Sequence, residues 1–302
     1  MNGGILPIVK LIYAVPEAER VIASAAKATL SPHEFTEITS EMSDERVENW
    51  VKELITRGHG SPLEHSIYIF EVICSRVCSH QLVRHRHASY SQLSQRYSDK
   101  YLRGFIKKTC SLLGLEYKES FEYYVYVLNK LLEARLGFHE MVNLVGEAFM
   151  IPPSITAKQN LEYLVHLVES TMRYYKALVN GVPYEDARYL LPQAIKTRVI
   201  VSMNARELLE VFLPLRMCTR AQWEIRTIAW SMWKQLLEVH PRIFKYTGPR
   251  CVLLENRVKG SPCELNEYLE GKCTFTIERC PEKVPREQVH ACLLRAVNGI
   301  TA

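Results

Sequence analysis

The chain has 302 residues, 47% of them hydrophobic and 24% charged, which is the composition of a globular protein with one large domain or two small ones. Its formal charge of +5 suits an enzyme with anionic ligands as well as a weak nucleic-acid binder. No apolar run approaches the roughly 18 residues that cross a bilayer, and no basic segment precedes the apolar stretch near the N-terminus, as it would in a signal peptide. The sequence therefore predicts a cytoplasmic protein without membrane contact.

The first part of the chain has the patterns of strands alternating with helices. They predict, in chain order, a strand, two helices, a second strand and a third helix, at 7–14, Glu17–Leu30, Asp44–Arg57, 65–73 and Cys74–Val83. Gly58 and Gly60 end the second helix. The polar stretch RHRHASYSQLSQRYSDK, residues 84–100, has no steady period and predicts a loop with little regular structure.

The second part is mainly helical. It predicts long helices at 117–149 and 156–179, a short helix at 183–190 and a strand at Lys196–Met203. Two pairs, Asn204 with Glu207 and Thr219 with Gln222, have the spacing of a helix N-cap and its partner, and the tail from Gly248 remains unassigned. Together these elements predict an α+β fold, with a small, mostly antiparallel sheet and a large helical part.

The densest chemical signal is Arg84-His85-Arg86, followed by Ser94 and then Gln95-Arg96-Tyr97. Guanidinium groups bind phosphates and carboxylates bidentately, and hydroxyls fill the remaining acceptor sites. A solvated basic turn would explain a lone Arg-His-Arg. No lysine or glutamate is interspersed to form ordinary ion pairs, so the longer pattern favours a binding site.

The segment His59-Gly60-Ser61-Pro62-Leu63-Glu64-His65 lies between a predicted helix and a predicted strand. Its glycine lets the backbone approach a ligand closely. The segment suits structural capping, a metal site on the two histidines and Glu64, or an organic-cofactor site. The last is favoured mainly by the resemblance of the surrounding motifs to a known family.

Nine cysteines, an odd number spread along the chain, argue against a secreted disulfide scaffold. Cys251, Cys263, Cys273 and Cys280 lie in the tail, but their spacings lack the paired C-x-x-C of a structural zinc site. We therefore predict no metal. In a hyperthermophile, a disulfide is the better expectation for these residues.

Taken in order, the motifs resemble the flavin-dependent thymidylate synthases. That family is marked by R-H-R, seven residues and S, which Arg84–Arg86 and Ser94 match, and by an upstream H-x-[ST]-P-x-E-H, which His59–His65 resembles. Five later strings of this chain resemble the C-terminal half of that family: Asp186-Ala187-Arg188, Leu191-Pro192, Asn204-Ala205-Arg206, Leu215-Arg216 and Ala221-Gln222-Trp223-Glu224. The resemblance covers residues 5–245, so we expect a synthase domain at 1–247 and an extension of unknown role at 248–302.

The resemblance implies the family's fold and an enzyme that converts dUMP to dTMP, with methylenetetrahydrofolate as one-carbon donor and FAD, reduced by NADPH, as hydride source. It also implies a homotetramer with shared active sites and without nucleic acid. FAD would contact His59, Ser61, Glu64, Arg84, His85, Arg86, His87, Asn204 and Arg206. The nucleotide dUMP would contact Gln81, Arg84, Gln92, Ser94, Gln95, Arg96, Arg188 and Arg216. Arg216 would be catalytic.

Two positions depart from the family's pattern. Ser91 stands where many members have asparagine. The segment from Asn204 to Arg216 is one residue longer than the pattern and includes Pro214, which should disturb a helix. For that reason no flavin contact is assigned to residues 207–213.

Three other functions fit less well. A cysteine-dependent thymidylate synthase typically has its nucleophile in Pro-Cys-His, and the nearest string is Pro262-Cys263-Glu264. A module for single-stranded nucleic acid would spread its basic residues over a face rather than one loop. A Rossmann oxidoreductase would need a third glycine after Gly58-His59-Gly60. Ser94 has no base at triad spacing, so it is assigned to substrate binding.

Overall fold

The computed structural model describes residues 6–298. The strands are β1 (Ile8–Ala14), β2 (Tyr68–Ser75), β3 (Ala88–Gln92) and β4 (Lys196–Met203). They form one small antiparallel sheet in the order β1-β2-β4-β3. The two central strands are mostly buried, whereas β3 lies at an edge and is polar. The predicted α+β fold is therefore confirmed, and a parallel Rossmann sheet is excluded.

Helices form most of the remaining chain. In order they are α1 (Ala18–Ala28), α2 (Phe35–Ser40), α3 (Asp44–Arg57), α4 (Arg76–Leu82), α5 (Lys100–Leu113), α6 (Phe121–Glu133), α7 (Phe138–Val145), α8 (Pro153–Ala157), α9 (Leu161–Val179), α10 (Tyr184–Ala187), α11 (Leu213–Arg216), α12 (Trp223–Val239), α13 (Pro241–Phe244), α14 (Arg250–Lys259), α15 (Leu265–Leu269) and α16 (Arg286–Asn298). There are also 3-10 turns at Ser61–Glu64 and Arg188–Leu190, and a π-helical turn at Glu207–Phe212. In the described part of the chain, no helix has both the length and the apolarity that crossing a membrane requires.

The chain divides into two compact units. The first consists mainly of Ile73–His80 and Gln92–Val199. The second consists of Ile8–Val72, Gln81–Ser91 and the chain from Ile200 onward.

The core of the first unit is built from α5, α6, α7 and α9, with α6 packed along α9. The rings of Tyr124 and Tyr175 meet edge to face, with centroids 4.9 Å apart. Buried Asp99 accepts a hydrogen bond from the Tyr175 hydroxyl at 3.2 Å and another from the Arg103 guanidinium at 2.7 Å. The charge of this carboxylate is therefore compensated inside the core.

In the second unit, α12 packs against β1, and α1 packs against α3. The indole N–H of Trp230 donates to the carbonyl of Met217 at 3.1 Å, which fixes α12 beside the end of α11. The tail helix α14 contacts α3 and α11, and Cys263 and Cys273 form a disulfide within the tail. The tail, which the sequence left unassigned, is thus an integral part of this unit.

Elements predicted before residue 84 are confirmed with small shifts of their ends. The loop predicted at 84–100 is wrong in part, because β3 lies inside it. A polar strand at a sheet edge needs no apolar alternation, and polar side chains protect such an edge from further pairing. The sequence also missed α5, which begins where that loop was expected to end.

The long helix predicted at 117–149 is wrong, because α6 and α7 divide it. Between them Arg135 has a φ of 49°, and Gly137 is the extended N-cap of α7. The helix predicted at 156–179 is likewise divided into α8 and α9. Asn160 opens α9 by accepting a hydrogen bond from the Tyr163 N–H at 3.1 Å. The short helix predicted at 183–190 and the strand at β4 are confirmed.

Of the two predicted N-caps, one is confirmed. Oδ1 of Asn204 accepts a hydrogen bond from the Glu207 N–H at 2.8 Å. The prediction of Thr219 as a cap is wrong, because Gln222 caps α12 by accepting bonds from two first-turn N–H groups at 3.1 and 3.2 Å.

The extra residue in the segment 204–216 is accommodated by the π-helical turn. There the N–H of Leu213 bonds to the carbonyl of Leu208, five residues earlier, instead of four as in an α-helix. A π turn takes up one more residue than an α turn while the flanking helix continues. Pro214 comes just after the π turn, so the helix departs from regular α-helical geometry next to the proline, as the sequence predicted.

Candidate functional site

The first predicted flavin motif, residues 59–65, begins directly after α3. Gly58 ends that helix with a φ of 71°, a left-handed conformation that glycine adopts without strain. A Cβ at Gly60 would lie 2.6 Å from Nε of Arg206 and 2.8 Å from Oε2 of Glu210, so a larger residue there would displace these two side chains. The predicted contacts on this turn have exposed side chains: His59, Ser61 and Glu64.

A series of ion pairs between acidic and basic side chains holds this turn in place. Arg206 contacts Glu64 at 2.5 Å through Nη1 and Glu210 at 3.1 Å through Nε. The other oxygen of Glu210 is 2.7 Å from Nη2 of Arg257, which belongs to the tail. The hydrogen bonds that Arg206 donates to Glu64 and next to Glu210 raise the pKa of its guanidinium. The structure therefore brings Glu64 and Arg206 together, and it adds two residues that the sequence did not indicate.

The side chain of His85, the central residue of the Arg-His-Arg motif, points into the interior of the second unit. Nδ1 of His85 is 2.9 Å from Oε1 of Glu207, and both side chains are buried. Nε of Arg216 donates to Nε2 of His85 at 3.0 Å, and its Nη2 donates to the carbonyl of Gln81 at 3.3 Å. Glu207, which lies in the π turn, thus supports two predicted site residues, although the sequence identified it only as a capping partner.

The two contacts of His85 define its tautomer. An arginine nitrogen can only donate, so Nε2 accepts and Nδ1 carries the proton that is donated to Glu207. The Phe212 ring packs against the imidazole in a T-shaped arrangement, with the two ring centroids 4.9 Å apart. The ring is therefore a fixed, neutral link between the Glu207 carboxylate and the Arg216 guanidinium.

A cavity of about 380 Å³ in the second unit collects four of the predicted flavin residues. These are Glu64, Arg86, His87 and Asn204, joined by serines from β3 and β4 and by Ser66. The hydroxyl of Ser66 also accepts the Ala205 N–H at 2.9 Å, which fixes the backbone beside Asn204. Arg84 and Arg86 are exposed on either side of the buried His85.

A larger cavity, of about 610 Å³, lies beside the same turn. It is lined by His59, Ser61, Thr29 just after α1, and residues of α3 that include Arg46, Asn49, Trp50 and Arg57. The residues of α3 and Thr29 were not predicted from the sequence as part of the site. These residues do not form a local motif. The spacing of Arg46, Trp50 and Arg57 along α3, just before the His59 turn, was the signal in the sequence that could have indicated them.

In the first unit, a cavity of about 350 Å³ contains Gln95 and Arg188, two of the predicted nucleotide contacts. The same cavity contains Arg76 and His80, which were not predicted as contacts. Burial, and next the charge of Arg188, lower the pKa of Arg76. Two arginines in one cavity repel each other, and an anion bound between them would relieve that repulsion.

The predicted nucleotide contacts of the first unit differ in the partners that their side chains have within the protein. The amide nitrogen of Gln95 is buried and has no protein partner, whereas that of Gln92 donates to two hydroxyls at 2.9 and 3.2 Å. The hydroxyl of Ser94 accepts the N–H of Arg96 at 3.2 Å. The Arg96 guanidinium pairs with exposed Glu185 at 3.2 Å.

The predicted nucleotide contacts therefore fall into two sets. Gln92, Ser94, Gln95, Arg96 and Arg188 lie in the first unit, while Gln81, Arg84 and Arg216 lie in the second. All of the predicted flavin contacts lie in the second unit.

Comparison with known proteins places this geometry in a family. Residues 10–242 match the family described as thymidylate synthase complementing protein. The chain is 45% identical over 307 aligned residues to a flavin-dependent thymidylate synthase of Aeropyrum pernix, covering 96% of this chain and 93% of that one. It is 38% identical to the enzyme of the same name from Sulfurisphaera tokodaii, covering 94% and 95%.

A crystal structure with the same fold is that of the flavin-dependent thymidylate synthase of Helicobacter pylori in complex with FAD and dUMP. It aligns with a TM-score of 0.58 at 23% identity, over 80% of this chain and 99% of that one. The family match extends over more than two thirds of the sequence, and the curated relatives are matched over nearly their whole length. The chain belongs to the flavin-dependent thymidylate synthase family.

Proposed function

We propose that the protein converts dUMP to dTMP, with methylenetetrahydrofolate as the one-carbon donor and FAD, reduced by NADPH, as the hydride source. The observation that carries the proposal is the difference in burial between the histidine and the two arginines of the Arg-His-Arg motif. His85 is buried and fixed, while Arg84 and Arg86 are exposed, and within residues 6–298 neither arginine pairs with a carboxylate. Two such cations on a fixed loop suit a phosphate-bearing ligand.

The residues of the second unit fit FAD, which has two phosphates, an adenine and an isoalloxazine ring. Arg84 and Arg86 supply guanidinium groups, Gly60 allows close backbone approach, and Trp50 offers an aromatic surface in the larger cavity. We therefore assign to FAD the contacts His59, Ser61, Glu64, Arg84, His85, Arg86, His87, Asn204 and Arg206. The relative from Helicobacter pylori was crystallised with FAD and dUMP, which supports both ligands here.

For dUMP we assign Gln81, Arg84, Gln92, Ser94, Gln95, Arg96, Arg188 and Arg216, and we add Arg76. The cavity that holds Arg76 and Arg188 suits the nucleotide phosphate, because both cations face the same space. The buried amide of Gln95 lacks a protein partner, and a ligand oxygen would relieve the cost of leaving it unsatisfied.

When bound and reduced, FAD supplies the hydride for the one-carbon transfer. The chain's own contribution is to position the reactants and to stabilise charge. Arg216 is anchored by His85 and by the carbonyl of Gln81, so its guanidinium is fixed before substrate arrives. A fixed cation next to the pyrimidine would stabilise negative charge that develops on the ring, which is the catalytic role assigned to Arg216.

Two nucleophilic mechanisms fit the structure less well. In the described chain, no histidine or carboxylate is hydrogen-bonded to the Ser94 hydroxyl, which instead accepts a backbone N–H. Cys263 is joined to Cys273 in a disulfide and offers no thiolate. We therefore expect the Cys263→Ser variant to form thymidylate normally. Loss of turnover in a folded, FAD-loaded variant would reopen the cysteine mechanism.

We also propose a cytoplasmic homotetramer with shared active sites, in which residues 1–247 form the synthase domain and 248–302 an extension. The predicted flavin contacts His59, Ser61 and Arg84 have exposed side chains, and a second subunit would cover a ligand bound there. Mixed tetramers of Arg84→Ala and Arg216→Ala chains test this arrangement. Recovery of activity is expected if each site draws these residues from different chains, and verified mixed tetramers without recovery would contradict it.

The function is tested by measuring tritium release from 5-tritiated dUMP in the presence of folate, NADPH and FAD, with each omitted in turn. We expect purified protein to be yellow, to bind FAD non-covalently, and to be reduced by NADPH faster when dUMP is present. Release should require all three components. A colourless protein that binds no FAD on titration would refute the proposal and would favour a nucleic-acid-binding module.

A further inference from the structure

The disulfide between Cys263 and Cys273 lies beside the C-terminal end of α14, in the tail of the second unit. It is the single disulfide in the part of the chain that the structure describes, and both of its residues are partly exposed. The flavin route uses neither sulfur atom, so the mechanism leaves this bond unexplained. Exposed disulfides are the ones that exchange readily with thiols in solution.

A cation lies beside one of the two sulfur atoms. Nζ of Lys259 is 3.4 Å from Sγ of Cys273 and also donates to the carbonyl of Thr274. Glu255 is 3.5 Å from the same ammonium, but its carboxylate is shared with the N–H of Thr276 at 2.8 Å. A neighbouring ammonium stabilises a thiolate, and a stabilised thiolate is the better leaving group in thiol–disulfide exchange. The sulfur that leaves is therefore that of Cys273.

The exchange needs no reactant other than a dithiol. A thiolate of the dithiol attacks Sγ of Cys263, the bond to Cys273 breaks, and Cys273 leaves as a thiolate beside Lys259. The second thiol of the dithiol then attacks the mixed disulfide and releases Cys263. Two electrons and two protons pass from the dithiol to the protein, and the dithiol becomes a disulfide.

A single buried side chain of α14 holds the backbone of Cys263. Oδ1 of Asn256 accepts the Cys263 N–H at 3.0 Å, and Nδ2 of Asn256 donates to the Cys263 carbonyl at 3.0 Å. Oδ1 also accepts the Tyr268 hydroxyl at 2.8 Å. Asn256 and Lys259 therefore hold the two ends of the disulfide loop against the last turns of α14.

The same end of α14 reaches the predicted flavin turn. Arg257 pairs with Glu210 at 2.7 Å, and a Cβ at Gly58 would lie 3.6 Å from the guanidinium carbon of Arg257. Glu210 in turn contacts Arg206 at 3.1 Å. Cleavage of the disulfide removes a covalent constraint from the loop that packs on this end of α14, so Arg257 would be held less firmly.

We propose that the disulfide between Cys263 and Cys273 is an exchange site for an external dithiol, and that its cleavage weakens FAD binding through Arg257. The link to FAD rests on the proposed function, whereas the exchange site does not. Cleavage acts by loosening Arg257, so its effect should not exceed the several-fold loss expected when that partly exposed ion pair is removed. Turnover at saturating FAD should remain normal.

The exchange site is tested with dithiothreitol as the dithiol, on full-length protein without added FAD. Alkylation and mass spectrometry follow the thiols of Cys263 and Cys273, which must be distinguished from four free cysteines that line one small cavity of this unit. We expect Lys259→Met to slow cleavage several-fold. Lys272→Met is the matched control, because it removes an ammonium that pairs with Glu270 at 2.5 Å, and it should leave the rate unchanged. Equal rates for wild type and Lys259→Met, or a disulfide that resists excess dithiothreitol in folded protein, would overturn the proposal.

The link to FAD is tested by fluorescence titration of oxidised wild type and of wild type with Cys263 and Cys273 reduced, after the dithiol is removed without oxygen. We expect the reduced protein to bind FAD several-fold more weakly, and Cys263→Ser/Cys273→Ser to match it with or without dithiothreitol treatment. Arg257→Ala should bind FAD equally in both states, whereas Arg250→Ala, on the same helix, should keep the difference. Equal affinities in the two states of wild type would overturn the link to FAD. A protein that binds FAD in neither state would instead refute the proposed function, and the link to FAD with it, while the cleavage rates still decide the exchange site.

Discussion

Nδ1 of His85 and Oε1 of Glu207 lie 2.9 Å apart in the interior of the second unit, with side-chain exposures of 4% and 3%. The other ring nitrogen of the same imidazole, Nε2, accepts a hydrogen bond from Nε of Arg216 at 3.0 Å. A carboxylate in the π turn thus fixes the tautomer that lets His85 orient the proposed catalytic arginine.

Glu207 is therefore expected to act on catalysis through Arg216. Glu207→Leu removes the acceptor for the His85 Nδ1–H and should lower kcat by roughly 10–100-fold, the usual effect of losing a residue that orients an active group. Glu207→Gln keeps an acceptor oxygen at similar reach and should retain most activity. The measurement is steady-state tritium release at matched FAD occupancy. Equal activity of the Leu and Gln variants would contradict the orienting role.

Arg257 is expected to strengthen FAD binding although it lies in the tail. It holds Glu210, which contacts Arg206, and Arg206 contacts Glu64. Because these pairs are partly exposed, Arg257→Ala should weaken FAD affinity by about 1 kcal/mol, or several-fold. Arg250→Ala, on the same helix but paired with Glu282, is the control. Fluorescence titration with FAD that finds both variants equal to wild type would exclude a role for the tail.

Arg188 and Arg76 are expected to bind the nucleotide phosphate. Arg188→Ala should weaken dUMP binding by roughly 2–4 kcal/mol, the effect of removing one partner of a buried charged pair, and FAD content should hardly change. Arg76→Ala should show a loss in the same direction. Arg173→Ala removes an exposed arginine of the same unit and is the control.

The phosphate assignment can be separated from a structural effect. Affinity for deoxyuridine, which lacks the phosphate, should be nearly the same in wild type, Arg76→Ala and Arg188→Ala. Equal losses for dUMP and deoxyuridine in competition assays would show that these arginines do not contact the phosphate.

Ser94 is expected to bind substrate and not to attack it. Ser94→Ala removes one neutral hydrogen bond, about 0.5–1.5 kcal/mol, so activity should fall by roughly tenfold at most. Loss of a catalytic nucleophile removes activity by many orders of magnitude. A variant that binds dUMP normally but shows no turnover would overturn the binding role.

Glu255 is expected to stabilise the tail in a pH-dependent way. Burial raises the pKa of its carboxyl, but hydrogen bonds from Thr276 and Ile277 and the charge of Lys259 outweigh burial, so the pKa lies below its usual 4.5. The carboxylate accepts the Thr276 and Ile277 N–H groups at 2.8 and 3.0 Å. Its contribution is therefore fully present above pH 4.5 and is lost as the pH falls through the lowered pKa.

The measurement is urea unfolding of wild type and Glu255→Gln. At pH 7 the variant should be less stable by roughly 2–3 kcal/mol, because hydrogen bonds to a charged group are lost. The difference should shrink at pH values below 4. A difference that does not depend on pH would show that the ionised form of Glu255 has no special role.

The family and the α+β class were predicted correctly from the sequence alone, and the proposed site residues were also chosen from its motifs. Motifs such as Arg84–Arg86 with Ser94, or His59–His65, are local strings whose spacing can be read without knowing the fold. The N-cap at Asn204 is equally local, because the side chain bonds a backbone group three residues away. Polar β3 and the break between α6 and α7 escaped prediction, since neither depends on an apolar repeat.

Residues that are distant along the chain and support the site became visible only in the folded structure. The pairing of Glu207 with His85 spans 122 positions, and Arg257 reaches Glu210 across 47. The four cysteines around one cavity include Cys218 and Cys292, which spacing within the tail had not suggested. Such contacts depend on how helices and strands pack, and packing brings together side chains whose separation along the chain has no fixed period.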